Sequence, residues 1–218
     1  MIYLAILDYD HLDDPFFMKQ FATALSNQKH TSAVIVHGDS AYTDRIMQTG
    51  VMREEARIRS IKDLNHRLVA LLADHGESSI GLHGYQKELV QRTEKGDLKI
   101  RSEWFEHRPP QTHLIISNLV HDSHNNKTVA VPLAKLSEEL LLQVGFEPIL
   151  IFPEGKPEVA PSSEETKPVV STDDRIPEMR IPEQLKPPPR GSVLCSLNSF
   201  SKLPDRKNLH SCGLNSGN

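Results

Sequence analysis

The sequence predicts an α/β fold: a three-layer αβα sandwich around a mostly parallel sheet over residues 1–152, followed by a proline-rich, disordered tail over 153–218. Three observations carry this prediction. Short, continuously apolar runs at 2–7, 32–36 and 148–152 read as strands buried on both faces, as in parallel sheets covered by helices. Segments with helical apolar spacing fall between them, so strands and helices alternate. After Phe152 the composition changes, because ten of the 15 prolines lie there and only 17 of the last 66 residues are apolar. So few apolar residues do not offset the entropy of ordering a chain.

Taken in order, Ile2 to Leu7 forms the first strand and runs into an acidic turn. Asp14 followed by Pro15 is a helix cap with a first-turn proline, and Phe17, Phe21, Ala24 and Leu25 then recur at helical spacing to about Ser26. Ser32 to Val36 is the second strand, entering the tight polar turn His37-Gly38-Asp39-Ser40, with a short helix near Tyr42 to Gln48. The longest helix spans about Arg53 to His75, with Ile58, Ile61, Leu64, Leu68, Leu71 and Leu72 on one stripe and Gly76 as its stop. Ser79 to Leu82 is a third strand before His83-Gly84-Tyr85. Residues 88–101 read as a hairpin turning at Lys95-Gly96-Asp97, and 113–131 as two strands around Asn125-Asn126. Leu133 to Val144 is a helix closed by Gly145, and Pro148 to Phe152 is the last strand. In open sheets of this kind ligands sit at the carboxyl ends of the strands, which singles out the turns at 8–11, 37–40 and 83–85.

Charge narrows the partners. The chain carries 25 basic and 29 acidic residues, a formal charge of -4, spread rather than in blocks. Neither nucleic acid nor an anionic membrane is expected as a partner. The opening MIYLAILDYD lacks the basic flank and cleavage site of a secretory signal, and no apolar run approaches the roughly 20 residues needed to span a bilayer, so the expected location is cytoplasmic. Cys195 and Cys212 both fall in the tail and read as two free thiols. Within the tail, Pro187-Pro188-Pro189-Arg190 is read as a solvated linker, with a polyproline docking motif as the alternative.

The order of several stretches resembles the amino-acid kinase family, and within it the amino-acid-binding half of acetylglutamate kinases. These are the opening strand, Val34 to Gly38, Asn65 to Leu72 followed by His75-Gly76, Ile80-Gly81-Leu82, and Leu140 to Ile151 with its Val144-Gly145-Phe146-Glu147-Pro148 turn. Each is short, and it is their shared order and spacing that carries the likeness. The resemblance implies a ligand cavity lined by His37, Gly38, Asp39 and Ser40, with Gly81, His83 and Gly84 opposite. It leaves Arg53 as the nearest candidate to pair with a ligand carboxylate. It also implies a homodimer through the 53–75 helix, although a helix facing its own core explains the same stripe.

The departures from the family are as informative. Where the family's first strand ends in a lysine and glycines that hold the transferred phosphoryl group, this chain has Leu7-Asp8-Tyr9-Asp10, whose carboxylates repel phosphates. The nucleotide-binding half is expected to be absent, and the domain to be a degenerate one. The expected function is therefore binding of a small carboxylate such as an acyl amino acid, or action through protein contacts, with no cofactor. One alternative is an active acetylglutamate or acylglutamate kinase of arginine biosynthesis that needs a partner, ATP and magnesium.

Other chemistries use some of the same residues. Asp8 and Asp10 also fit the nucleophile and general acid of haloacid-dehalogenase-like phosphatases, with Gly38-Asp39 and Asp44 resembling their metal loop, but that loop should come much later in the chain. Asp8 and Asp10, with His11, Asp13 and Asp14, are weak candidate cation ligands, and the alternative is an ordinary acidic strand end. His121 and His124 are spaced for one side of a metal site that nothing completes, so a polar loop is the expectation. Gly-x-Ser-x-Gly, Gly-x-Gly-x-x-Gly and phosphate-loop motifs are absent.

Overall fold

The computed structural model describes residues 2–28, 31–106, 109–146, 148–153, 181–203 and 210–211. Strand β1 (Ile2–Leu7) leads into a single-turn helix α1 (Tyr9–Asp13), then α2 (Pro15–Ser26), β2 (Ser32–His37), α3 (Tyr42–Met47) and the 22-residue α4 (Arg53–Asp74). There follow β3 (Ser79–His83), β4 (Val90–Arg92), β5 (Leu98–Ile100), α5 (Glu103–Glu106), β6 (His113–Ser117), β7 (Leu119–Asp122), β8 (Lys127–Ala130), α6 (Leu133–Val144) and β9 (Ile149–Ile151). The last elements are β10 (Ser192–Leu194), α7 (Leu197–Phe200) and β11 (His210–Ser211).

The large sheet has the order β11-β10-β9-β1-β2-β6-β3 and is parallel except for β11. A smaller sheet, β5-β4-β7-β8, joins it through the β6–β7 connection. Strand alternation sorts the core into two layers. Tyr3, Ala5 and Leu7 of β1 pack with Phe17, Phe21 and Leu25 of α2 and Leu64, Leu68 and Leu72 of α4. Leu4 and Ile6 point the other way, toward Leu136 and Leu140 of α6 and Val90 and Ile100 of the small sheet. The expected αβα sandwich is therefore the observed one.

Local signals placed most elements. Asp14 caps α2 by accepting from the N–H groups of Phe16 (2.9 Å) and Phe17 (3.1 Å), and Gly145, at φ 80°, ends α6 in the left-handed conformation that glycine adopts without steric cost. The α4 stripe faces the protein's own sheet, with Ile61, Leu64, Leu68 and Leu72 buried.

Three expectations are corrected. The acidic turn at 8–11 is helical, with Asp8 as the N-cap of α1. Residues 113–131 form three strands, because the chain leaves the large sheet at Asn118 and enters the small one at Leu119. Residues 181–203 are part of the fold. β10 extends the parallel sheet beside β9, and Ile181, Leu185, Leu194, Cys195, Phe200 and Leu203 are buried. Pro189, in the proline run read as a linker, is buried at a turn where its carbonyl accepts from the Ser192 N–H. Residues 154–180 and Cys212 lie outside the described residues. Cys195 is a free thiol whose burial pushes it up to about 12, which makes it a core side chain and not a nucleophile.

Candidate functional site

The carboxyl ends of the central strands converge on a polar layer. β2 delivers His37 and Gly38, β6 delivers Ser117 and Asn118, and β3 delivers His83 and Gly84. His37 is fully buried, and the side-chain amide of Asn65, from the middle of α4, lies 3.0 Å from its Nε2. With Nε2 accepting from the Asn65 amide, the ring's proton sits on Nδ1, 3.0 Å from the Gly38 carbonyl. Burial holds the His37 imidazole down at about 4, well below the ordinary histidine value. His83 is also lowered to about 4, chiefly by burial and then by the positive charge of Lys62, and its Nδ1 lies 2.9 Å from the Ser117 hydroxyl.

In front of this layer opens a cleft of about 350 Å³, lined by Gly38, Asp39, Arg57, Asn118, Ala130, Val131, Pro132, Leu133 and Gln184. Asp39 holds the Arg57 guanidinium through two contacts, Nε to Oδ2 at 3.2 Å and Nη2 to Oδ1 at 3.3 Å. Asn118 is 2% exposed. Its Nδ2 donates to the Val131 carbonyl at 2.6 Å, and its Oδ1 has no hydrogen-bond partner. Helix α6 starts at the cleft wall with Pro132 as an N-cap that offers no side-chain bond, so the N–H groups of its first turn lack intrahelical partners. The cleft thus combines a guanidinium already held by the Asp39 carboxylate, a helix N-terminus and the Asn118 amide. That set suits a small anion that also carries an N–H donor.

Of the residues expected here, Gly38 and Asp39 line the cleft. His37 and Ser40 are buried, Ser40 accepting from the Tyr42 N–H at 3.2 Å ahead of α3. Arg53 is exposed and lies 3.7 Å from Asp44, away from the cleft. The arginine at the cleft is Arg57, one helical turn further along α4. Gly81 and Gly84 serve close packing. A Cβ on Gly81 would stand 2.3 Å from Asn65 Oδ1 and 2.9 Å from Val69 Cγ2, and one on Gly84 would stand 2.7 Å from the Leu119 carbonyl. Gly81→Ala is accordingly expected to destabilise the fold by about 1–3 kcal/mol, the usual cost of overpacking, checked by urea unfolding. An unchanged midpoint would show that α4 moves aside freely. Arg57 and Asn118 had no counterpart in the sequence reading. Their only signals were an arginine four residues after Arg53 and a Ser-Asn pair between two apolar runs.

At the end of β1, Asp8 is buried, accepts from the His11 N–H at 3.2 Å and contacts His11 Nδ1. His11 Nε2 in turn lies 3.2 Å from the Pro153 carbonyl, and its ring stacks on Phe17. Asp8 is thus committed to a helix cap and a buried contact, while Asp10 is exposed on α1. A buried carboxylate thus stands at the end of β1. Among the described residues no three His, Cys, Asp or Glu side chains gather as a metal site. Asp122 shapes the loop holding His124, accepting from the His124 N–H and the Asn125 amide. No helix among the described residues is long and apolar enough to cross a membrane.

Neither a protein-family model nor a curated protein matches the chain. Solved structures do. An isopentenyl phosphate kinase is similar with a TM-score of 0.58 at 13% identity, over 90% of this chain and 92% of that one. The aspartate kinase of Synechocystis is similar with a TM-score of 0.58 at 12% identity, over 71% of this chain and 28% of that one. The N-acetylglutamate synthase of Neisseria gonorrhoeae, complexed with coenzyme A and N-acetyl-glutamate, gives a TM-score of 0.50 at 14% identity, over 68% of this chain and 40% of that one. At these identities the likeness is one of architecture, and the architecture is that of the amino-acid kinase fold.

Proposed function

We propose that this chain is an amino-acid-kinase-fold domain that binds a small acyl amino acid and does not transfer phosphate by itself. The observation that supports the reading is the cleft of about 350 Å³ at the ends of β2 and β6, whose lining includes Arg57, Asn118 and the start of α6 at Pro132 and Leu133. A ligand carboxylate pairs with Arg57 and the α6 amides, and its acylated N–H donates to Asn118 Oδ1. That last bond would satisfy a buried acceptor that otherwise carries a desolvation cost of about 1–3 kcal/mol. The buried Asp8 cap at the end of β1 supports the absence of phosphoryl transfer.

The test is calorimetric titration of the whole chain with N-acetylglutamate, with glutamate lacking the acyl group, and with ATP. Saturable binding of the acyl amino acid is expected, with none of ATP. Arg57→Ala should weaken it about ten- to a hundredfold, the range for a hydrogen bond to a charged group. Binding that ignores Arg57→Ala would sink the assignment of this cleft. ATP-dependent phosphorylation of acetylglutamate by the purified chain would overturn the non-kinase reading and favour the acylglutamate kinase alternative.

A further inference from the structure

We propose a second ligand site, on the open edge of the large sheet, that takes a small aromatic carboxylate. β3 ends the sheet. The His113 N–H donates to the Ser78 carbonyl, which turns the even-numbered backbone groups of this segment inward toward β6. The His83 N–H instead donates outward to Gln86 Oε1 at 2.8 Å. Alternation along the strand then places the N–H and carbonyl of Gly81 on the open edge as well.

Beside that edge lies a cavity of about 280 Å³, separate from the cleft at β2 and β6, with Gly81, Leu82, Leu89, Lys87 and Trp104 in its lining. Leu82, Leu89 and the indole give it an apolar body, and Lys87 gives it one charge. The Lys87 ammonium stands 4.8 Å from the Trp104 ring centroid. It is held there by an unusual backbone, because Lys87 and Glu88 are both left-handed, at φ 50° and 57°. Two successive residues with side chains in that region are costly, at about 1–3 kcal/mol each. The neighbouring carboxylate Glu88 lies 3.9 Å from Arg101, and among the described residues no carboxylate is within ion-pair distance of the Lys87 ammonium.

An apolar pocket with an aromatic wall and one uncompensated cation selects a ring with an acid group. The ring lies against the indole in offset stacking. Its carboxylate meets the Lys87 ammonium, with the Gly81 N–H as second donor. The volume sits at the small end for ligand pockets, so the occupant is one ring with a short acid arm and not a nucleotide.

Trp104 is the only tryptophan in the chain, so intrinsic indole emission reads this cavity alone. Phenylacetate, its neutral amide and benzylamine are titrated into the whole chain. Phenylacetate is expected to change the emission saturably, with at least tenfold weaker binding for the amide and weaker still for the amine. Lys87→Gln should cost phenylacetate about tenfold and leave the amide unchanged. Equal affinity for acid and amide, indifference to Lys87→Gln, or no saturable response would each overturn the site. Arg57→Ala should leave the phenylacetate response unchanged, which separates this site from the first cleft. A self-associating chain whose emission ignores phenylacetate would instead assign the edge to a second copy and overturn the proposal.

Discussion

Phe200→Ala is expected to lower the unfolding free energy by about 3–5 kcal/mol, the usual cost of truncating a buried phenylalanine. Phe200 is fully buried although it lies 48 residues beyond the last apolar run of the body. Its ring stacks on Phe21 at 5.1 Å between centroids and meets Phe152 edge-on at 5.2 Å and Tyr3 at 5.7 Å. Its carbonyl accepts from Gln28 Nε2, while Gln28 Oε1 accepts from the Tyr3 hydroxyl at 2.5 Å. One residue of α7 therefore closes an aromatic cluster built from β1, α2 and Phe152, just past β9. A loss of this size is a large share of the roughly 5–15 kcal/mol that holds a domain together. Urea unfolding checks it, with the midpoint falling and the slope unchanged. A loss below about 1 kcal/mol would mean that 181–203 only decorates a body complete at Phe152.

Averaged over 153–218, composition looks too polar to fold, yet eight of its 17 apolar residues fall between Ile181 and Leu203. They have little local period because each meets a different neighbour. Leu185 and Leu194 pack in the α6 layer, and Cys195, Phe200 and Leu203 in the α2–α4 layer. By contrast, β1, α2, α4 and α6 were legible because their signals are local: alternation, helical spacing, an Asp-Pro cap and a terminating glycine. In the cleft, the His37-Gly38 turn was legible as a strand end. Arg53 and Arg57 share one face of α4 by spacing, so the sequence could not say which would meet Asp39. That depends on the tilt of α4 against the sheet, which is set where Gly81 lets Asn65 approach β3. Asn118 was hidden because leaving one sheet for another costs no turn residue that a sequence displays.

Stability is expected to fall as pH drops from about 6.5 toward 4, with His37 and His83 as its identifiable sources. The His37 imidazole sits at about 4 in the folded chain chiefly because it is fully buried, with the Gly38 carbonyl opposing and nearby His83 adding to the effect, and returns to its ordinary value of 6.5 when unfolded. Between those values the unfolded chain binds the proton and the folded chain does not. Stability is therefore fully present above pH 6.5 and is lost as pH falls toward 4. The slope approaches 1.4 kcal/mol per pH unit, and the whole window amounts to about 3 kcal/mol. His83, lowered to about 4 as well, adds to the same slope, with Lys62 and His66 both opposing its charge. The discriminating measurement is urea stability at several pH values for the native chain and for His37→Gln, which keeps an oxygen acceptor near the position of Nε2. The variant should be less stable at neutral pH and have a shallower slope. Its curve should converge on the native one near pH 4, where the native chain must protonate His37 or unfold. Parallel curves would show that His37 stays neutral in the unfolded chain or gains a proton without penalty in the folded one. Either result would remove His37 as a source of the acid slope.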